Sequence, residues 1–397
     1  MSLAGKMIKL IKSTFYREDE VKKGLADFII NSSQLSIGRA CREFEKKFAK
    51  WQGRKYCVMV NSGSSANLAI VQALLNLGKL EKGDYVGFSA VTWSTNIMPL
   101  MQLGLNIVPI DIELSTLNVS SKKLLNTIKK SPIKMLFLTN LLGFCDDIDE
   151  IKKICYQKKI ILIEDNCESL GTVYKKQKLG NFGFASTFSF YVGHHLSTIE
   201  GGAICTDNSE LETMLQLVRA HGWDRNLTEG KQLKIRLKYN INSMFYSRYT
   251  FYDLGYNLRT TEINGYVGNA QIKYLDEIVK KRKENFFKMA VPIYKKLNKY
   301  YSIKYDHIDF LSNFAVPVIC KSQKIRNELV EKCKDIVEIR PIVGGDMILQ
   351  PFFKKYVKDS FGENSNAKLV HEQGLYFGNN PELTEEEMNT IINIFTS

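Results

Sequence analysis

The sequence predicts an α/β protein: a large domain on a parallel or mixed sheet with helices on both faces, and a smaller α/β domain in the C-terminal third. Two observations carry this. Short β-branched runs alternate with helical stretches from 39 to 220. The pattern then changes near 262, where a long helical stretch opens a second set of strand and helix units. The expected division is an N-terminal segment 1–30, a large domain 31–265 and a small domain 266–397.

Taken in order, 39–51 (RACREFEKKFAKW) places its apolar residues on one helical face. KYCVMV (55–60) reads as a buried strand. NSGSSANLAIVQALLNLG follows, a helix opened by Gly and Ser, with Gly78 placed to end it. The unit repeats as strand 84–90, helix 94–103, strand 106–112, helix 121–130, strand 133–140, helix 147–157 and strand 159–165. Strands 185–191 and 202–206 come next, then helix 209–220. The second set has one long helix over 262–298, strand 313–320, helix 323–333 and a last helix 384–396, opened by the capping pair Thr384 and Glu387.

Composition narrows the function. Hydrophobic residues make up 44% and charged residues 24% of 397, which excludes disordered, collagen-like and coiled-coil chains. No apolar run reaches the roughly 20 residues that span a bilayer. The N-terminal MSLAGKMIKLIKSTFYRED has no long apolar core, so a cytoplasmic location is expected. The net charge of +13 comes from basic residues that are scattered and interleaved with acidic ones, without aromatics between them. Nucleic-acid binding is therefore not expected; a basic cleft for a small anionic substrate such as a sugar nucleotide is. Eight cysteines form no C-x-x-C or C-x-C pair, so no zinc or iron–sulfur site is expected, only reduced and mostly buried thiols.

Three segments carry chemistry. Asn61-Ser62-Gly63-Ser64-Ser65-Ala66-Asn67 lies between a strand and a helix, where free N–H groups and hydroxyls suit an anion. Ordinary capping by Ser fits the same residues. Asp165 stands at the C-terminal end of the apolar strand 159–163, in Ile163-Glu164-Asp165-Asn166-Cys167-Glu168-Ser169. Open α/β sheets bind ligands at that end, although a helix-capping Asp would look alike. Finally, His194 and His195 sit together in the Gly-bounded run from Thr187 to Gly202. Adjacent histidines in a loop between strands favour a catalytic use over a core one.

In order and spacing these segments resemble fold-type I enzymes that use pyridoxal 5′-phosphate, the aspartate aminotransferase-like class. Within it they resemble the DegT/DnrJ/EryC1/StrS family of sugar enzymes. Arg219-Ala220-His221-Gly222 and Gly255-Tyr256-Asn257-Leu258-Arg259 extend the resemblance, which runs from about Gly38 to Phe377. One departure bears on function. The family's aminotransferases carry a cofactor-binding Lys five residues after the Ser of the FSF segment. Here that Ser is Ser189, the fifth residue on is His194, and no Lys occurs from 179 to 230. Covalent attachment of the cofactor needs a primary amine, which imidazole cannot supply.

The segments HHLSTIEGG, LIEDNCESLG, RAHGWDRNL, GYNLR and RPIVGG are similar to the Lys-lacking dehydratases of the family. That resemblance implies C3 dehydration of a GDP-linked 4-keto-6-deoxy sugar, of the kind used for surface polysaccharides. It implies pyridoxamine 5′-phosphate held non-covalently and restored by L-glutamate, with ammonia and a 4-keto-3,6-dideoxy sugar nucleotide as products. A related cluster-dependent branch has a C-x-C element that is absent here, so no iron–sulfur cluster is implied.

By the same resemblance, His194 is the single acid/base; an imidazole with an unperturbed pKa of about 6.5 can take and give a proton near neutral pH. Asp165 pairs with the pyridine N–H, Glu168 is a further cofactor contact and Trp93 stacks on the ring. Taken alone, Trp93 would fit ordinary core packing better. Gly63, Ser64 and Ser189 hold the phosphate. Asn257 reaches the phosphate of a neighbouring subunit, which implies a homodimer with shared sites. His221 and Arg259 are the substrate-side candidates, Arg suiting a diphosphate. The stretch 226–254 does not follow the dehydratase pattern closely. It keeps a GDP-4-keto-6-deoxyheptose substrate open beside the hexose, with a nucleotide-sugar aminotransferase as the other alternative.

Overall fold

The computed structural model describes residues 7–358, 361 and 365–397. Residues 1–6, part of the stretch read above for an export signal, lie outside it. The strands are β1 (Tyr56–Val60), β2 (Tyr85–Ser89), β3 (Asn106–Ile110), β4 (Met135–Thr139), β5 (Ile161–Asp165), β6 (Val173–Tyr174), β7 (Gln177–Lys178), β8 (Ala185–Ser189), β9 (Gly202–Thr206), β10 (Ala315–Ile319), β11 (Ile339–Pro341) and β12 (Gly374–Gly378). Seven of them form one mixed sheet in the order β1-β9-β8-β5-β4-β2-β3. β3, β2, β4, β5 and β8 run parallel, while β9 runs against both β8 and β1. The C-terminal ends of the parallel strands therefore share one edge. Asp165 ends β5, Ser189 ends β8, and their strands pair with Asp165 opposite Thr187.

The helices are α1 (Glu18–Asn31), α2 (Arg39–Gln52), α3 (Gly63–Asn76), α4 (Met98–Gln102), α5 (Ser121–Ile128), α6 (Ile148–Lys158), α7 (Ser209–Arg219), α8 (Glu229–Lys238), α9 (Glu262–Ile272), α10 (Leu275–Tyr294), α11 (Gln323–Cys333), α12 (Pro351–Tyr356), α13 (Ser365–Gln373) and α14 (Glu385–Thr396). Fully buried strands such as β4 (MLFLT) are apolar on both faces because helices cover both. β10, β12 and β11 form a small antiparallel sheet. Leu136 and Leu138 of the large sheet share one apolar cluster with Phe286 of α10 and with Val316 and Phe377 of the small sheet.

Two expectations need correction. The single helix over 262–298 is two helices, α9 and α10, with Tyr274 between them at φ −102° and ψ 1°. The break lets α9 pack on α2 while α10 packs on α14. Just before it, the Gln271 side chain clasps the backbone N–H and C=O of Tyr16. The expected helix 94–103 is a 3-10 turn at Ser94–Asn96 followed by α4. Asn96 is pulled inward to bond Asp165, and Pro99 starts a new helix because it needs no N–H partner there.

α2 lacks a cap of its own, since Gly38 has no side chain. The buried Glu262 carboxylate of α9 supplies it, accepting from the N–H groups of Gly38, Ala40 and Cys41 at 2.8, 2.8 and 3.0 Å. Glu262→Ala orphans those donors and removes an anion from a helix start. The expected cost is about 2–3 kcal/mol, read as a lower thermal midpoint, with Glu262→Gln losing less.

Candidate active site

A cavity of about 460 Å³ opens at the C-terminal edge of the large sheet, between it and the small sheet. Gly63, Ser64, Trp93, Asp165, Glu168, Ser189 and His194 all line it. Asn257, His221 and Arg259 do not. His221 and Asn257 are exposed, and the Arg259 Nε donates to Asn257 Oδ1 at 2.9 Å. His221 sits at φ +59°, its N–H bonded to the Tyr256 carbonyl at 2.7 Å. Nor does any residue of 226–254 line the cavity; that stretch folds as α8 and a 3-10 turn and leaves Met244, Phe245, Tyr246, Tyr249 and Phe251 exposed.

At one wall α3 begins. Ser62 does cap it, accepting from Ser65 N–H at 3.0 Å. The N–H groups of Gly63 and Ser64 precede the first helical bond and have no intrahelical acceptor. The close approach needs glycine: a Cβ on Gly63 would lie 2.6 Å from Ser189 Cβ and 3.0 Å from its Oγ. Gly63→Ala is therefore expected to cost about 1–3 kcal/mol, checked by thermal midpoint.

Asp165, 4% exposed, is held from three sides. Asn67 Nδ2 and Asn96 Nδ2 donate to Oδ2 at 3.1 and 2.7 Å, and the Cys167 N–H donates to Oδ1 at 2.9 Å. Thr92 donates on to Asn96 and meets Thr139 at 2.6 Å. These three donors fix the plane of the carboxylate. Sequence reasoning missed Asn67 and Asn96; the four-residue spacing of Asn67 from Gly63 on α3 was the available signal. Glu164, one residue earlier, is purely structural: it is fully buried and accepts from the N–H groups of Gly180, Phe182 and Gly183.

Glu168 behaves differently. Burial pushes its carboxyl up to about 8, against the Leu142 N–H that bonds it at 3.0 Å and favours the anion, while nearby Asp165 adds to the rise. It holds its proton at neutral pH. In protein freed of cofactor this gives a signed prediction. The folded value lies above the ordinary 4.5, so the contribution of Glu168 to stability is complete below 4.5 and is lost as pH rises through about 8. Glu168→Gln is expected to leave the thermal midpoint near pH 4.5 little changed and to raise it above wild type at pH 8.

His194 departs from expectation. Its pKa is not near 6.5 but is pushed down to about 4, because burial disfavours the cation and Arg282 repels it, while Asp165 and the Ser189 backbone oppose the shift. The ring stands edge-on to Phe314 at 5.2 Å between centroids. The imidazole is neutral at pH 7. His195 is buried and bonded through Nε2 to the Ser312 carbonyl at 3.2 Å, so it is a core residue and does not line the cavity. Trp93 is 54% exposed and lines the cavity instead of packing in the core.

The small domain and N-terminal segment add walls that the sequence reading did not assign: Leu10, Ile11, Phe314, Tyr376 and Arg340. The Leu10 N–H bonds Glu338, which also pairs with Arg340. Arg340 is the one Lys or Arg among the described residues lining the cavity. The unpartnered, buried Oδ1 of Asn67, the Gly63 cradle and the fixed carboxylate together fit a phosphorylated, aromatic, cationic-ring ligand.

The sequence pattern of the DegT/DnrJ/EryC1/StrS aminotransferase family matches residues 17–396. The chain belongs to that family. GDP-4-keto-6-deoxy-D-mannose 3-dehydratase of Yersinia pseudotuberculosis is 35% identical over 385 residues, covering 95% of each chain. The structure of the Escherichia coli GDP-4-keto-6-deoxy-D-mannose-3-dehydratase with bound hydrated PLP superposes with a TM-score of 0.89 at 33% identity, covering 98% of this chain and all of that one. A GDP-4-keto-6-deoxymannose-3-dehydratase structure with a trapped PLP–glutamate geminal diamine gives 0.88 at 32%, with the same coverage. Like these DegT/DnrJ/EryC1/StrS structures, the chain has the fold-type I architecture. Among its described residues no group of three or more His, Cys, Asp or Glu could hold a metal, and no helix is long and apolar enough to cross a membrane.

Proposed function

We propose that the protein is a C3 dehydratase of a GDP-linked 4-keto-6-deoxy sugar, working with non-covalently held pyridoxamine 5′-phosphate and no iron–sulfur cluster. One observation carries the reading most: His194, not Lys, stands in the cavity that Asp165 and Gly63 line. No Lys lines that cavity among the described residues. When bound, the cofactor supplies an amine that condenses with the sugar's keto group and a ring that takes up electrons from the bonds that break.

The chain's own residues do the rest. Gly63, Ser64 and Ser189 hold the phosphate, Asp165 keeps the ring nitrogen protonated, Glu168 offers a neutral donor and Trp93 covers the ring face. His194 is neutral and so is ready to take the proton at the cofactor's C4′ carbon. The low pKa also makes its imidazolium a strong acid, which hands that proton to the departing 3-hydroxyl. L-glutamate restores the amine and leaves as 2-oxoglutarate; the 4-amino group is released as ammonia.

The working unit in this reading is a homodimer. Asn257, His221 and Arg259 lie outside their own chain's cavity, which suits contacts to a neighbouring site, and the exposed aromatics of 244–251 suit burial against a second copy. A mass-spectrometric screen of GDP- and CDP-linked 4-keto-6-deoxy hexoses and heptoses tests the substrate. Loss of one oxygen from the GDP-linked hexose supports it. Turnover of the CDP-linked sugars alone would overturn it, and turnover of the heptose alone would move the assignment to the longer sugar.

A further inference from the structure

His194 lines a second cavity, of about 20 Å³, and among the described residues it is the only one common to both. A water needs about 10–15 Å³ and two to four polar partners. The volume suits one. Partners are available as well: His194 Nδ1, His195 Nδ1 and Arg282 Nε are buried, have no hydrogen-bond partner in the chain, and belong to residues that line this chamber. Buried polar atoms of this kind are almost always bonded to protein or to ordered water.

Arg282 is itself unusual. It is 3% exposed and pairs with no carboxylate among the described residues. Instead Nη1 donates to the carbonyls of Phe314 and Asn379 at 3.0 and 2.6 Å, and Nη2 donates to the carbonyl of His194 at 3.2 Å. It already fixes the main chain that carries His194.

We propose that one water in this chamber joins the His194 ring to Arg282 and so makes Arg282 the positioning residue of the acid/base. The bonding closes on simple donor counting. Arg282 Nε–H can only donate. His195 uses its Nε2–H on the Ser312 carbonyl, so its Nδ1 can only accept. The water accepts from Arg282 and from His194 Nδ1–H and donates to His195 Nδ1. That leaves the lone pair of His194 Nε2 free for the substrate cavity, as a base requires.

The catalytic use of that lone pair rests on the dehydratase reading; the bonding does not. Neutron diffraction from deuterated wild-type crystals without substrate therefore tests the bonding by itself. The expected result is one water in the chamber and deuterium on His194 Nδ1. A dry chamber, or deuterium on Nε2 alone, overturns the proposal. Kinetics test the positioning. The titratable groups that share the cavity with His194 are Asp165, Cys167, Glu168, Tyr191, Glu200, Glu338, Arg340 and Tyr376, and those that share the chamber are Tyr16, His195, Arg282 and Glu382. Loss of the Arg282 charge in Arg282→Gln is expected to move the acid limb of kcat upward by about one pH unit. It should lower kcat with little change in KM, while Arg282→Lys leaves the limb in place. An unmoved limb in a folded Arg282→Gln enzyme overturns the role.

Discussion

Replacing His194 by lysine is expected to abolish dehydration and to bind the cofactor covalently. A positioned acid/base contributes about 10²–10⁴ in rate, and in the proposed reaction one residue serves both directions of proton transfer. Lysine is the informative substitution because the site would activate its amine. The burial and the Arg282 charge that depress the imidazole disfavour an ammonium as well, which leaves a neutral nucleophile beside the cofactor. Borohydride reduction followed by denaturation should then leave cofactor mass on the chain, whereas wild type and His194→Asn release it. Dehydration by His194→Lys at the wild-type rate would remove His194 from the mechanism.

Asp165→Asn is expected to have the second largest effect. The substitution removes the charge that, in the proposed site, keeps the ring nitrogen protonated, and it sets an amide against the Nδ2 groups of Asn67 and Asn96, which now donate to Oδ2. Loss of one charge-assisted hydrogen bond costs about 1.5–3 kcal/mol, or about 10–150-fold in cofactor affinity. Turnover should fall further, because an unprotonated ring is a weaker electron sink. Equilibrium dialysis separates the two effects. Asn96→Ala, which removes one donor and leaves the carboxylate, should lose affinity more mildly; equal losses in the two variants would mean that Asp165 acts only as a structural acceptor.

Much of the fold was legible because its signals are local. Strand β5 announces itself as an apolar run ending in Asp165, and α3 as a Gly/Ser start followed by small and aliphatic residues. What escaped depends on distant partners. β12 (GLYFG) is short and glycine-bounded, and only its pairing with β10 and β11 defines it. α1 buries little except Val21, so its helical face is faint, and it is anchored by Phe28 stacking on Tyr266. In the site, seven of the residues read from motifs, from Gly63 to His194, converge on one cavity while His221, Asn257 and Arg259 lie outside it, and the electrostatics did not follow from residue type. The depression of His194 comes from burial and from Arg282, 88 positions away, and the rise of Glu168 comes from burial that no local pattern encodes.

In the proposed reaction the enzyme removes the 3-hydroxyl and transfers no amine to the sugar. Purified protein with pyridoxal 5′-phosphate, L-glutamate and GDP-4-keto-6-deoxymannose decides it, with the sugar nucleotide read by mass and ammonia and 2-oxoglutarate by quantity. The predicted result is a sugar nucleotide lighter by one oxygen atom, with ammonia and 2-oxoglutarate formed in equal amounts. A sugar nucleotide carrying an amino group in place of the 4-keto oxygen, with no free ammonia, would contradict it.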